Sequence, residues 1–286
     1  MSSKGKWVRW AAVLVIAALG LSFGPPGACA ETGVVRLALV VVPDDLLRPL
    51  LPDFQKQTGM RAEIVYSGEN PYDVAGSGKA DLVISHYGHE GVKPFVTEGL
   101  GLWPHPVFAN QMVLLGPPSD PAGVRRIADG AEAFRRIAAS KSPYVSNNGA
   151  GAKYLEEILM TSASILEKGS WYLDLKSEGS KAALDASRKG AYVLWGLPPF
   201  LRLKHKGPLE LEPLVFQDPI FQRIMVAVVV NPKKVPGVNA VGAAAFQQFL
   251  IAPATQAKIR SFRYPDFDRE AWWPAGTIAR TSKIAA

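Results

Sequence analysis

Cysteine is almost absent. Cys29 is the only one among 286 residues, and it sits in an N-terminal segment that has the order of a secretory signal. Lys4, Lys6 and Arg9 precede the apolar run from Trp10 to Phe23, and Gly27, Ala28 and Ala30 follow a Pro25-Pro26 break. Cleavage after Ala30 leaves an exported chain with no disulfide, no thiolate nucleophile and no thiolate metal site. Two other readings stand beside it: a lipid anchor on Cys29, for which Gly27-Ala28 suit and Pro26 does not, and an uncleaved N-terminal anchor. The apolar run is shorter than the roughly 18 residues expected of a spanning helix.

Other absences exclude whole classes of function. The chain has no Gly-x-Ser-x-Gly elbow, no Gly-x-Gly-x-x-Gly after its first strand and no phosphate loop ending in Gly-Lys-Ser/Thr. Adjacent acids such as Asp44-Asp45 and Glu156-Glu157 mark helix starts or solvated faces. No catalytic set assembles, so the sequence reads as a non-enzyme without a cofactor. Clustered positive charge is also lacking. The formal charge of +7 becomes +4 without the three leading cations, and the remaining basic residues form only short pairs at Arg125-Arg126, Arg135-Arg136 and Lys233-Lys234. A nucleic-acid partner is therefore not expected. Repeats and low-complexity tracts are missing, and nearly half of the residues are hydrophobic, enough to bury a core.

The residues present alternate strand and helix. Val34 to Val42 is an apolar run suited to a strand covered on both faces. Asp44 and Asp45 open a helix that runs to about Gln57 before Gly59. A strand at Arg61 to Tyr66, a turn at Ser67 to Pro71 and a short helix from Tyr72 to Ser77 follow. A third strand, Ala80 to Ser85, leads into His86-Tyr87-Gly88-His89-Glu90 and a helix to about Glu98. Val107 to Leu115 and Arg223 to Val230 are longer apolar strands that read as crossings into and out of a second lobe. That lobe holds helices at about Gly130 to Ala139, Tyr154 onward and Ser180 to Arg188, with strands at Ser142 and at Ala191 to Trp195. Helices from about Val241 to Leu250 and Pro253 to Phe262 complete the chain. The expected partition is a signal over 1–30, lobe 1 over 31–110 and 227–286, and lobe 2 over 111–226. In such α/β lobes ligands sit beyond the carboxyl ends of the strands, in a cleft that closes by hinge motion.

The stretch from Ser142 to Lys153 is the leading candidate for the site. A strand, a turn of small residues and a helix start leave backbone N–H groups bare at a helix N-terminus, where an anion is favoured; an ordinary strand-to-helix turn is the competing reading. Ser146, Asn147, Asn148, Gly149 and Gly151 are its candidate ligand residues. Ser67, Glu69, Asn70 and His86 lie at carboxyl ends of predicted lobe 1 strands, and Trp195 ends a lobe 2 strand with a ring placed to line the cleft or to pack in the core. His86 and His89, three apart, with His105 as a possible third ligand, offer an alternative metal site.

In order along the chain, Leu50-Leu51-Pro52-Asp53-Phe54-Gln55-Lys56-Gln57-Thr58-Gly59, Ala80-Asp81-Leu82-Val83-Ile84-Ser85-His86, Phe95-Val96-Thr97-Glu98-Gly99-Leu100-Gly101 and Leu115-Gly116-Pro117-Pro118-Ser119-Asp120-Pro121-Ala122-Gly123 are joined by Pro143-Tyr144-Val145-Ser146, Lys189-Gly190-Ala191-Tyr192 and Val230-Asn231-Pro232-Lys233-Lys234-Val235-Pro236-Gly237-Val238-Asn239. This ordered set resembles the tungstate-binding periplasmic proteins of ABC importers, relatives of the molybdate-binding type, over nearly all of the mature chain. The resemblance implies a two-lobed periplasmic-binding-protein fold of type II-like layout, hinged on two crossover strands. It also implies an exported protein that delivers a small solute, an oxyanion in the family, to an inner-membrane permease; a monomer is expected.

The ligand positions depart from the pattern. Members carry a Thr-Thr-Thr-Ser run after the first strand, where this chain has Leu39-Val40-Val41-Val42. They carry Ser-Arg-Gly-Asp-Asp-Ser-Gly-Thr in lobe 2; here Ser146 and Gly151 match, Asn147 takes the arginine position and Ala152 the last threonine. A Thr-Asp-Arg run becomes Trp195-Gly196-Leu197. Burying an oxyanion requires donors that replace its water, so the expectation is a conserved scaffold around an altered solute preference. Two alternatives remain: an exported sensory or interaction module on the same fold, and the histidine metal protein.

Overall fold

A computed structural model describes residues 33–40 and 43–275. The signal segment with Cys29, together with Val41 and Val42, lies outside the described residues. The chain opens with strand β1 (Val34–Leu39), helices α1 (Asp44–Leu47) and α2 (Leu51–Thr58), strand β2 (Arg61–Ser67), helix α3 (Pro71–Gly76), strand β3 (Leu82–His86) and helix α4 (Val92–Thr97). The single helix expected from Asp44 to Gln57 is divided by a 3₁₀ turn at Arg48–Leu50, because Pro49 and Pro52 each lack the N–H that a continuous α-helix needs. Gly59 ends α2 with φ of 75°, a conformation that a glycine adopts without a Cβ penalty.

Strand β4 (His105–Gly116) leads to α5 (Gly130–Ser140), β5 (Tyr144–Val145), α6 (Ala150–Ser162), β6 (Tyr172–Leu173), α7 (Gly179–Lys189), β7 (Val193–Gly196), α8 (Leu197–Lys206) and β8 (Glu212–Val215). Then come β9 (Gln222–Val229), α9 (Ala240–Ile251), α10 (Pro253–Ser261) and β10 (Trp273–Pro274). The expected elements are present, with ends shifted by one to a few residues. Helix α8 and strands β6, β8 and β10 are additions to the sequence reading.

The strands of the main sheet run in the order β10-β4-β9-β3-β1-β2. β1 pairs in parallel with β2 and β3, so their carboxyl ends share one edge. β9 pairs antiparallel to β3 on one side and to β4 on the other. The first half of β4 is bound to β9 and β10, whereas its second half is bound to β7 and β8. One strand thus belongs to both lobes. Lobe 2 adds the short parallel pair β5 and β6.

Alternation of the pleat gives each sheet face its own core. Leu82, Ile84, Met225, Ala227 and Phe108 pack in the largest cluster with Phe54, Phe246 and Trp272. Val83, Val226 and Val228 turn to the opposite face with Tyr72 and Phe95. In lobe 2, Met112 and Leu114 meet Ala152, Leu155 and Leu159 of α6. A half-buried ion pair fastens lobe 1: Asp81, fully buried, accepts from Arg36 Nη2 at 2.6 Å and from the backbone N–H of Arg36 at 2.7 Å. It also accepts from the N–H of Asn239 at 2.8 Å. Asn239 in turn caps α9 by accepting from the Gly242 N–H.

Candidate functional site

The turn from Ser146 to Gly149 follows β5 and opens α6, and its polar side chains are largely occupied inside the protein. Ser146 is buried and its Oγ donates to Glu156 Oε2 at 2.9 Å while accepting from Lys153 Nζ at 2.9 Å. Glu156, also buried, further accepts from Tyr144 at 3.0 Å, Tyr172 at 2.7 Å and Lys153 at 2.9 Å. Burial works against the Lys153 ammonium, but Tyr172 and Glu156 together outweigh it and hold its pKa above the ordinary value. Burial, and then Glu156, raise the Tyr144 hydroxyl well above its usual value. Asn147 Nδ2 donates to the Leu194 carbonyl, and its Oδ1 accepts from the N–H groups of Gly149 and Gly179. Asn148 Nδ2 donates to Asp174 and to the Ser177 carbonyl. These side chains fix the shape of the turn. What the turn leaves unused are the N–H groups of Ala150 and Gly151, which have no acceptor among the described residues.

Facing that turn is a residue the sequence reading did not single out. Arg223, at the start of β9, donates from Nη2 to the Gly151 carbonyl at 2.7 Å. The contact is close: a Cβ on Gly151 would stand 2.6 Å from Arg223 Nη1, so a side chain there would make the guanidinium shift. Burial lowers the pKa of Arg223 from its ordinary value. Among the described residues no carboxylate pairs with it.

Sheet register gathers further polar groups around Arg223. Asn110 of β4 lies directly opposite Arg223, and Met225 lies opposite both Phe108 and His86. Directly opposed residues project from the same face, and residues two apart on one strand share that face. Asn110, Arg223 and His86 therefore project together. Asn110 is 3% exposed, and its amide has no hydrogen-bond partner among the described residues. Burial, then Arg223 and then His89 push the His86 imidazole down to about 3. It is neutral at physiological pH, leaving Arg223 as the permanent charge of the three. In the sequence, the signal for these residues was an arginine beginning an apolar strand and an Asn110-Gln111 pair interrupting another. Their partners are far away in the chain, so no local pattern connected them.

The remaining candidate residues occupy varied places. Ser67 ends β2 opposite Leu39, and the Gly68 N–H bonds the Leu39 carbonyl at 3.0 Å; this sets the Ser67–Asn70 loop at the carboxyl edge of β1. Glu69 and Asn70 are exposed in it. Trp195 pairs with Val113 in β7 and packs against the largest core, on the face of β4 opposite to Met112 and Leu114. His89 uses both ring nitrogens, one with the Glu69 carbonyl at 3.1 Å and one with the Gly91 N–H at 3.0 Å. His105 is exposed at the start of β4. Among the described residues no group of three or more histidine, cysteine, aspartate or glutamate residues is placed to hold a metal ion. A broad depression elsewhere, lined by Arg125, Lys204, Glu212 and Arg269, shares none of these residues. Its Arg125 and Glu212 already pair at 2.8 Å.

Two α/β lobes joined through long strands, with strand ends and a helix N-terminus turned toward that junction, define a two-lobed solute-binding protein. The family model for bacterial extracellular solute-binding proteins matches residues 37–264, and the chain belongs to that family. A candidate ABC transporter anion-binding protein of Haloferax volcanii is 27% identical over 227 residues, covering 76% of this chain and 65% of that protein. The aligned part thus spans less than two thirds of the Haloferax protein. The tungstate-binding protein TupA of Peptoclostridium acidaminophilum is 27% identical over 236 residues, 80% of this chain and 82% of the relative. Among solved structures, the tungstate-binding protein TupA from Desulfovibrio alaskensis G20 superposes with a TM-score of 0.74 at 27% identity, covering 84% of this chain and 98% of that one. No helix among the described residues is long and apolar enough to cross a membrane.

Proposed function

We propose that this protein captures a small anion between its lobes and presents it to the membrane permease of an ABC importer, working outside the cytoplasm as a monomer after removal of residues 1–30. One observation carries the reading. The bare N–H groups at the start of α6 stand beside a guanidinium that no carboxylate pairs with among the described residues, so an anion would find both a cation and free backbone donors. Anions are favoured at a helix N-terminus, and an arginine in a site of low dielectric holds them by charge-assisted hydrogen bonds. The names of the relatives, anion-binding and tungstate-binding, agree with this chemistry.

The solute need not be the one those relatives bind. Asn147 and Ala152 stand where the family pattern has arginine and threonine, and Asn147 is spent on bracing the turn. A thermal-shift screen with tungstate, molybdate, sulfate, phosphate and small carboxylates tests the reading. Stabilisation by at least one anion, and by no neutral solute in the same panel, is the expected result. An absence of any anion shift removes it.

A further inference from the structure

We propose that Arg223 and Asn110, side by side on the two strands that join the lobes, are the principal ligands for a small oxyanion, and that this pair supplies the charge missing from the turn before α6. The proposal rests on the anion reading above and deepens it by naming the site.

Three observations converge on it. A cation at the N-terminus of a helix faces the positive end of the macrodipole, where negative groups are stabilising and positive ones are not. Arg223 is nevertheless held there, donating to the Gly151 carbonyl at 2.7 Å, with no carboxylate among the described residues to offset it. An anion lodged between the guanidinium and the bare N–H groups of Ala150 and Gly151 turns a repulsive pair into two attractive ones. The second observation is Asn110. Asn110 is 3% exposed and lies directly opposite Arg223 on the shared face; its amide has no hydrogen-bond partner among the described residues and keeps a little solvent access, so it is free to donate. Its amide gives a neutral donor next to the charge. The third is Gly151 itself, where a Cβ would displace the guanidinium from its present place. The glycine gives Arg223 the space it occupies.

The sheet also explains why such a site tolerates the loss of the lobe 2 arginine. Arg223 is paired with Asn110 of β4, two residues before the point at which β9 is also paired with β3 at Met225. It is therefore positioned by rigid backbone. A cation carried by a turn would depend on the order of that turn. His86 completes the wall as a neutral imidazole, so the charge offered to the ligand is that of Arg223 and the helix terminus.

Isothermal titration of the purified protein with molybdate, tungstate, sulfate, phosphate and formate provides the test. At least one should bind, and Arg223→Gln should weaken that anion by about 100-fold, with Asn110→Ala weakening it by about tenfold. If the wild type binds an anion and R223Q binds it within threefold as well, this assignment is wrong while the anion reading stands. If the wild type binds none of the five, the anion reading fails and takes the assignment with it. Thermal melts of the unliganded variants show whether each is folded. Should R223Q lack a cooperative melt, Arg223→Lys and Asn110→Ala decide the matter: R223K keeps the charge and loses the planar fork, and affinities equal to wild type in both would overturn the assignment.

Discussion

At the level of single residues, Gly151 separates fold from function. It lies in the first turn of α6, where alanine has a higher helix propensity by about 1 kcal/mol, but a Cβ there would push the Arg223 guanidinium from its place. Gly151→Ala should therefore leave the thermal midpoint of the free protein near or above wild type and sharply weaken anion binding. A coupled pair of measurements, melting and titration, checks it; wild-type affinity would show that the guanidinium has room to move. His86 carries a different signature. Its pKa falls from 6.5 to about 3 on folding because of burial, Arg223 and His89. The unfolded chain binds the extra proton between those values, so this contribution to stability is complete above about pH 6.5 and is lost as pH falls toward 3. The slope from one proton is at most about 1.4 kcal/mol per pH unit. His86→Gln should flatten the acid limb of stability in urea titrations between about pH 6 and 4. An unchanged slope would mean that the imidazole protonates freely in the fold.

At the level of elements, the half-buried pair of Arg36 and Asp81 joins β1, the approach to β3 and the start of α9. Asp81 is fully buried whereas the Arg36 side chain is 29% exposed, so removing the arginine leaves a buried carboxylate without its cation, at a cost of about 3–5 kcal/mol. Arg36→Ala should lower the midpoint of chemical denaturation accordingly, and an effect below about 1 kcal/mol would show that solvent reaches the carboxylate. The elements were legible in the sequence where periodicity or capping was strong. The β1–β3 strands, the Asn239-capped helix α9 and the two long strands all stand near their expected positions. Helix α8 was missed because Pro198-Pro199 after Gly196 reads as a break, although proline is accepted in the first turn of a helix, where its missing N–H is not needed. The division between α1 and α2 has the opposite cause, since Pro49 and Pro52 fall inside a helical period. The turn at Ser146 was legible as a shape, because strand, small residues and helix are local features. Its occupancy was not: the donors and acceptors that engage Ser146, Asn147 and Asn148 come from Glu156, Gly179, Leu194 and Asp174, brought together only by folding. Arg223 and Asn110 were hidden for the same reason, being distant in sequence from Gly151.

At the level of the whole molecule, a solute held between the α6 terminus and the β9 guanidinium touches both lobes at once. Binding should then draw the lobes together, and small-angle scattering should record a smaller radius of gyration for the protein saturated with its anion than for the free protein. Identical values would indicate that the lobes are already closed before binding. The placement of β9 has a separate consequence. It lies between β3 and β4, so the two earlier strands have no direct bond to each other and wait for a neighbour that is made much later. The lobe 1 sheet stays in two pieces until residue 229 has been synthesised. A chain ending at Asp218 should accordingly show no cooperative unfolding transition by circular dichroism. This late strand acts as a timer: commitment of the lobe 1 sheet to its final shape comes only with the last part of the chain to be synthesised.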